Sequence, residues 1–259
     1  MKKRYIITFL ITIILFILAF DVIAKDSSVF HWYCIRNKEH KQPCCDANMS
    51  FIENHNGYYI DKNHGDTCKE KIVYLTFDAG YENGNIAKIL DVLKKEQVPG
   101  GFFVLGNLIT SNPDLIKRMV NEGHLVCNHT YSHKDMSNKT EQEFAAELQK
   151  LEDAYKALIG HPLAKYYRPP KGTFSHANME WANKLGYKTI FWSFAYEDWD
   201  NNKQPAKEKA KEKILSNMHN GAVLLLHPTS STNAEILDEI IQALKEQGYE
   251  FGTLDQLTS

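Results

Sequence analysis

From Lys71 to the C-terminus, short apolar runs alternate with amphipathic segments of helical length, and this alternation confines the chain to a parallel α/β architecture. No internal repeat or low-complexity block interrupts it. Strands are expected at Ile72–Phe77, Gly101–Leu105, His124–Asn128, Lys165–Arg168, Lys188–Ser193, Ala222–Leu226 and Tyr249–Gly252. Each is short, rich in β-branched or aromatic residues and bounded by Gly, Pro, Asn or Asp. The clearest helix is Asn233–Gln247, where Ile236, Leu237, Ile240, Ile241 and Leu244 share one face and Gly248 is the stop. Asn85–Gln97 repeats the pattern, and Thr140 with Glu143 reads as a capping box opening a helix that ends near Gly160. Such a series builds either a barrel or a doubly wound layer, and periodicity alone does not choose between them.

The N-terminus carries a different pattern. Lys2, Lys3 and Arg4 precede an apolar run from Tyr5 to Phe20 and small residues ending at Ala24. Residues 1–24 read as an export signal, either cleaved after Ala24 or retained as a membrane anchor, since the run is slightly short of the roughly 20 residues that span a bilayer. Removing three positive charges and one negative (Asp21) lowers the formal net charge from −2 to −4. That balance argues against a nucleic-acid partner. The stretch Lys203–Lys213, with Glu208 and Glu212 interleaved, reads as a solvated helix face.

Residues 25–70 show neither periodicity and are expected to form an irregular extension packed against a domain of residues 71–259. Cys34, Cys44, Cys45 and Cys68 lie in it. In an exported protein these four allow two disulfides with three connectivities. A zinc knuckle is the alternative, although adjacent cysteines suit no common zinc spacing. Cys127, inside an apolar strand, reads as a buried free thiol.

Asp78, His129, Arg168, Asp198 and His227 each fall at or just beyond the C-terminal end of an expected strand, where parallel α/β folds gather their chemistry. Singly, each is ambiguous. His129 and His133 form an H-x-x-x-H pair that on a helical turn would share one face and reach one metal; two surface histidines give the same letters. Asp78 is either a turn residue or functional. Arg168 precedes Pro169-Pro170, which hold the backbone extended and fix where the guanidinium points; a structural salt bridge would also account for it. His227 could simply cap the core strand Val223–Leu226.

In combination the residues resemble the polysaccharide deacetylases of the NodB-homology type, carbohydrate esterase family four. The motifs are Thr76-Phe77-Asp78-Ala79-Gly80, His129-Thr130-Tyr131-Ser132-His133, Arg168-Pro169-Pro170-Lys171-Gly172, Asp198-Trp199 and Leu225-Leu226-His227-Pro228, in register over residues 71–259. Phe77 to Gly84, together with His31-Trp32, resembles the branch that deacetylates N-acetylmuramic acid during muramic δ-lactam formation in spore cortex.

The resemblance implies a distorted seven-stranded (β/α) barrel and a metal-assisted hydrolysis of the acetamide. His129 and His133 would hold a divalent metal, Zn²⁺ first with Mn²⁺, Co²⁺ or Mg²⁺ as alternatives. Asp78 would be the base and His227 the acid, with Arg168, tied to Asp198, behind Asp78. The backbone N–H of Lys171 would face the oxyanion, since Pro169 and Pro170 have none to offer. Trp199 and Leu225 would line the acetyl pocket, and Tyr81 and Asn83 would contact substrate. One position departs from the family pattern: a metal-binding aspartate usually follows the base, and here it is Ala79. A weak, exchangeable metal site is therefore expected.

The expected partner is peptidoglycan on the outer side of the cytoplasmic membrane, met by a monomer. An N-acetylglucosamine deacetylase carries the same motifs. A wall-glycan-binding protein that lost its chemistry through Ala79 is a further reading, disfavoured because acid, base and base-orienting pair all remain. A Cys127 nucleophile beside His129 is disfavoured by its apolar setting.

Overall fold

The computed structural model describes residues 28–36 and 39–259. The expected export segment, residues 1–24, lies outside the described residues. No described helix is long and apolar enough to cross a membrane.

The strands, in chain order, are β1 (Val29–His31), β2 (Cys34–Ile35), β3 (Cys44–Cys45), β4 (Gly57–Tyr58), β5 (Lys71–Ala79), β6 (Gly101–Val104), β7 (Leu125–Asn128), β8 (Tyr166–Tyr167), β9 (Thr173–Ser175), β10 (Lys188–Ile190), β11 (Ala222–Leu226) and β12 (Tyr249–Phe251). The main sheet runs β11-β5-β6-β7-β8-β10-β4, with β12 also on β5, and every pairing in it is parallel. All seven expected strands form.

The sheet curls into a distorted barrel that closes in two steps. Beyond β10 the chain crosses to β11, where Phe194 bridges Leu224 and the Leu225 N–H donates to Phe194 O at 2.8 Å. This crossing ends β10 at Ile190, short of the expected Ser193. Below it, β4 fills the gap between β10 and β11, and the Asp61 N–H donates to Gly221 O at 2.9 Å.

The extension is therefore not the irregular appendage that its sequence suggests. It supplies β4 to the barrel, pairs β1 antiparallel with β9, and carries a 3-10 helix at Ala47–His55. Its Trp32, Met49, Ile52 and Tyr59 share one apolar cluster with Phe174, Met179 and Phe191 of the barrel. Strands of two or three residues are too short to leave a period in the sequence, which is why they escape a periodicity reading. Among the described residues the five cysteines are free thiols, with Cys127 buried, and no group of three or more His, Cys, Asp or Glu is placed as a zinc knuckle would need.

Alternation along β5 explains where the chemistry goes. Val73, Leu75, Phe77 and Ala79 face the helical layer, packing with Ile89, Leu90, Ile240 and Ile241 from helices Ile86–Glu96 and Ser231–Glu246. Ile72 and Tyr74 face the lumen with Phe103, Cys127 and Val223, above a floor of Leu254 and Leu257. With a period of two, Thr76 and Asp78 continue the inward row toward the C-terminal mouth.

Candidate active site

Arg168, at the end of β8, fills the upper lumen with no exposed surface. Its Nη1 donates to Asp78 Oδ1 at 2.8 Å, Nη2 to Thr76 Oγ1 and Phe191 O, and Nε to Ile190 O. The guanidinium also lies 4.1 Å from the Phe103 ring centroid, a cation–π contact. A charge so buried persists only because its donors are so fully used. Burial alone would raise the Asp78 carboxyl, but the charge interactions with His129, Arg168 and His227 and the Arg168 hydrogen bond outweigh burial and hold it below its ordinary range. The Arg168 guanidinium stays charged throughout the neutral range, so Asp78 is an anion there.

His129 and His133 reach the same mouth from the turn after β7. That turn is not the expected helical one: Thr130 and His133 have φ of 67° and 57°, in the left-handed region. Side chains compensate, with Asn128 Oδ1 accepting from the Thr130 N–H at 2.9 Å and Thr130 Oγ1 accepting from the His133 N–H at 3.0 Å. The two imidazoles end with ring centroids 5.0 Å apart. His129 Nδ1 sits 2.8 Å from Arg168 O, which fixes the proton on Nδ1 and leaves the Nε2 lone pair facing Asp78 Oδ2 at 3.4 Å. Burial pushes His129 down and His133 to about 4, so both rings are neutral at pH 7.

Asp198 does not bind Arg168, and this corrects the expectation. Its Oδ1 takes His227 Nδ1 at 2.7 Å, and its Oδ2 accepts from the His227 N–H at 2.8 Å and from Asn233 Nδ2 at 2.6 Å. The site holds two separate pairs, Arg168 with Asp78 and Asp198 with His227. Burial pulls His227 down, but the hydrogen bond and charge of Asp198 overcome it, and the ring is raised above its ordinary value.

Asp78, His129, His133, Lys171, Leu225, His227, Tyr81 and Trp199 line one cleft of ≈ 660 Å³. Lys171 is exposed with φ 57°, and Trp199 stands edge-on to His227 at 6.1 Å. Asn83 does not line the cleft: its Nδ2 donates to Thr229 O at 2.7 Å, tying the loop after β5 to the loop after β11. Arg168 and Asp198 lie beneath the surface, behind the groups they hold.

The donor set suits a divalent metal only in part. Two neutral imidazoles, one with its second nitrogen locked on a carbonyl, are in the ligating form. Position 79 adds no donor, and its methyl is fully buried in the outer core. Among the described residues no group of three or more His, Cys, Asp or Glu is placed to hold a metal. The residues fit a site of two imidazoles with Asp78 alongside, and they do not form a closed cage.

Sequence reasoning missed Asn233, Trp192 and Tyr196. Asn233 steadies Asp198, and its only sequence signal is the small polar run Thr229–Asn233 directly after the His227 motif. Trp192 and Tyr196 line the cleft, and the Trp192 carbonyl accepts from Trp32 Nε1 at 2.8 Å. Gly172 shows how tightly this wall is packed: at φ +66°, an added Cβ would lie 2.8 Å from the Trp192 ring and 3.0 Å from Trp32 Cβ. Gly172→Ala is expected to cost about 2–4 kcal/mol from left-handed strain plus overpacking, read as a lower thermal midpoint. An unchanged midpoint would contradict this packing.

An anionic carboxylate, two neutral imidazoles and a carboxylate-held imidazole at the C-terminal mouth of a parallel barrel define a hydrolase site of the metal-assisted kind. Comparison with known proteins makes the class specific. Residues 65–190 match the family described as Polysaccharide deacetylase. The chain is 42% identical over 235 residues to the peptidoglycan-N-acetylmuramic acid deacetylase PdaA of Bacillus subtilis, covering 90% of this chain and 88% of that protein. The solved structure of Bacillus subtilis PdaA, a family 4 carbohydrate esterase, has a TM-score of 0.84 at 40% identity, covering 89% of this chain and 97% of that one. A family 4 carbohydrate esterase from Bacillus anthracis gives 0.73 at 36% identity, covering 91% and 98%. This chain belongs to the polysaccharide deacetylase family, the family 4 carbohydrate esterases, whose deacetylation is metal-assisted.

Proposed function

We propose that the chain removes the N-acetyl group from N-acetylmuramic acid in peptidoglycan, in muramic δ-lactam formation of spore cortex. The observation that carries the chemistry is the opposition, across one cleft, of an Arg168-held anionic Asp78 and an Asp198-held, raised His227. The substrate assignment is supported by the likeness to an N-acetylmuramic acid deacetylase over nine-tenths of the chain. Residues 71–259 are the catalytic domain, preceded by the extension of residues 25–70, whose described part packs on it. The expected form is a monomer, and its substrate class places it on the cell-wall side of the membrane, secreted or N-terminally anchored.

In the proposed reaction Asp78 accepts a proton from the attacking water, and the Arg168 bond keeps its carboxylate ionised and aimed at the mouth. The Lys171 backbone N–H faces the developing oxyanion. His227 then protonates the sugar nitrogen, because an amine anion is too poor a leaving group without that proton. Trp199 and Leu225 surround the acetyl methyl, and Tyr81 contacts the glycan at the rim. His129 and His133 would hold a divalent metal, Zn²⁺ first with Mn²⁺, Co²⁺ or Mg²⁺ as alternatives, which supplies Lewis acidity at the carbonyl. Calorimetric titration with Zn²⁺ is expected to show weak, exchangeable binding that disappears in His129→Ala. Picomolar affinity would contradict a two-imidazole site.

Mass spectrometry of digested muropeptides, after incubation with cortex-like glycan stripped of stem peptide, tests the substrate. Free amine or lactam on muramic residues is the expected product. Glucosamine alone would instead establish the N-acetylglucosamine specificity that the same cleft chemistry permits.

A further inference from the structure

The small antiparallel sheet of the extension sets Cys34 directly across from Cys45, while Cys44 faces Ile35. Opposed residues in such a pair have Cα atoms about 4.5–5.5 Å apart, within the roughly 4.4–6.8 Å that a disulfide spans. Side chains alternate faces along a strand, so register also decides which cysteine can be reached. Cys34 and Cys45 are both half-buried and pack on the aromatic cluster of Trp32, Tyr59, Phe174 and Phe191. Ile35 and Cys44 are both exposed, on the other face. The two faces agree with the register independently of it.

We propose that Cys34 and Cys45 are a disulfide-forming pair, joined across β2 and β3 once the protein is exported, and that Cys44 and Cys68 take no part in the bond. The thiols described here are the reduced state. Burial pushes Cys34 up to about 12 and Cys45 up to about 11, so neither is a ready thiolate at neutral pH. A disulfide-exchange oxidant is therefore the required co-reactant. One cysteine sulfur attacks the donor disulfide and releases its first thiol; the second cysteine then displaces the mixed disulfide and releases the other thiol. The donor takes up the two electrons and two protons that the cysteines lose.

The bond would matter to the cleft through a short path. The Trp32 Nε1–H, two residues before Cys34, donates to the carbonyl of Trp192 in the cleft wall, whereas the donation of the reduced Cys34 Sγ to Ser193 O at 3.3 Å is given up when the disulfide forms. A staple at Cys34 thus anchors the segment that positions this wall.

The test uses the full chain, exported in a bacterial host, purified without reductant and incubated with oxidised glutathione. Free thiols are alkylated before a non-reducing tryptic digest. Cys34 lies in the fragment ending at Arg36, and Cys44 and Cys45 share the fragment between Lys41 and Lys62. The two fragments are expected to appear linked in the parent chain and in Cys44→Ser, and unlinked in Cys45→Ser. Reductant should lower the thermal midpoint of the parent by roughly 5–10 °C and leave that of Cys45→Ser unmoved. Full alkylation of Cys34 in the oxidised parent, or a link that survives Cys45→Ser and vanishes in Cys44→Ser, would overturn the proposal. These readouts involve no glycan, so they succeed or fail independently of the substrate assignment.

Discussion

Asp78→Asn is expected to lower the deacetylation rate about 10²- to 10⁴-fold while glycan affinity is retained. The amide keeps the shape of the carboxylate and can still accept from Arg168, but it cannot take a proton from water at neutral pH. The loss should therefore fall on kcat and leave KM nearly alone. A second effect comes from beneath. Arg168 has no exposed surface, and Asp78 is the carboxylate that neutralises it in the lumen. Leaving that guanidinium uncompensated is expected to cost about 3–5 kcal/mol of stability. The sign with pH follows from the lowered carboxyl: the parent's stabilisation by this pair is complete above the unfolded value of about 3.9 and is lost as pH falls through the folded one. Rates measured on variant protein shown to be folded by circular dichroism separate the two effects. Parent-like kcat in folded Asp78→Asn would remove Asp78 as the base.

What could be read from the letters follows from which features have a period. Asp78 and His227 stood out because each follows an unbroken apolar strand, Ile72–Phe77 and Ala222–Leu226, whose end any parallel fold must place at the mouth. Alternation in β5 even implies that Asp78 points inward. Partnership has no period. The resemblance ties Asp198 to Arg168, yet which charge meets which depends on the path of the loop after β10, and that loop delivers Asp198 to His227 instead. The place of Asn83 is hidden for a related reason: its amide donates to a carbonyl more than a hundred residues away. The turn at 129–133 misled because i,i+4 spacing suggests a helix, whereas Asn128 and Thr130 side chains stabilise a left-handed turn that brings the same rings together. In the extension the obstacle was length, since a two-residue strand such as β4 is defined by its neighbours and not by its own composition.

The separation of the two pairs yields the sharper test of who donates the leaving-group proton. If Asp198 served Arg168, replacing it would weaken the base; because it serves His227, Asp198→Asn should weaken the acid. Burial by itself pulls His227 below its ordinary value, and the bond and charge of Asp198 are what reverse this. Without that charge the ring is expected to be largely deprotonated at pH 7. A general acid works below its pKa and fails above it, so the alkaline limb of the kcat profile should move to lower pH in Asp198→Asn while the acidic limb stays in place. The expected loss at pH 7 is about 10²-fold or more, partly recovered as pH is lowered toward the displaced limb. Geometry adds to the damage, because Asp198 Oδ2 accepts from both the His227 N–H and Asn233 Nδ2, and an amide nitrogen turned toward them would meet two donors. Asn233→Ala, which removes one of those donors and leaves the Asp198 charge, should shift the limb much less. A profile whose alkaline limb is the same in the parent and in Asp198→Asn would mean that another group delivers the proton.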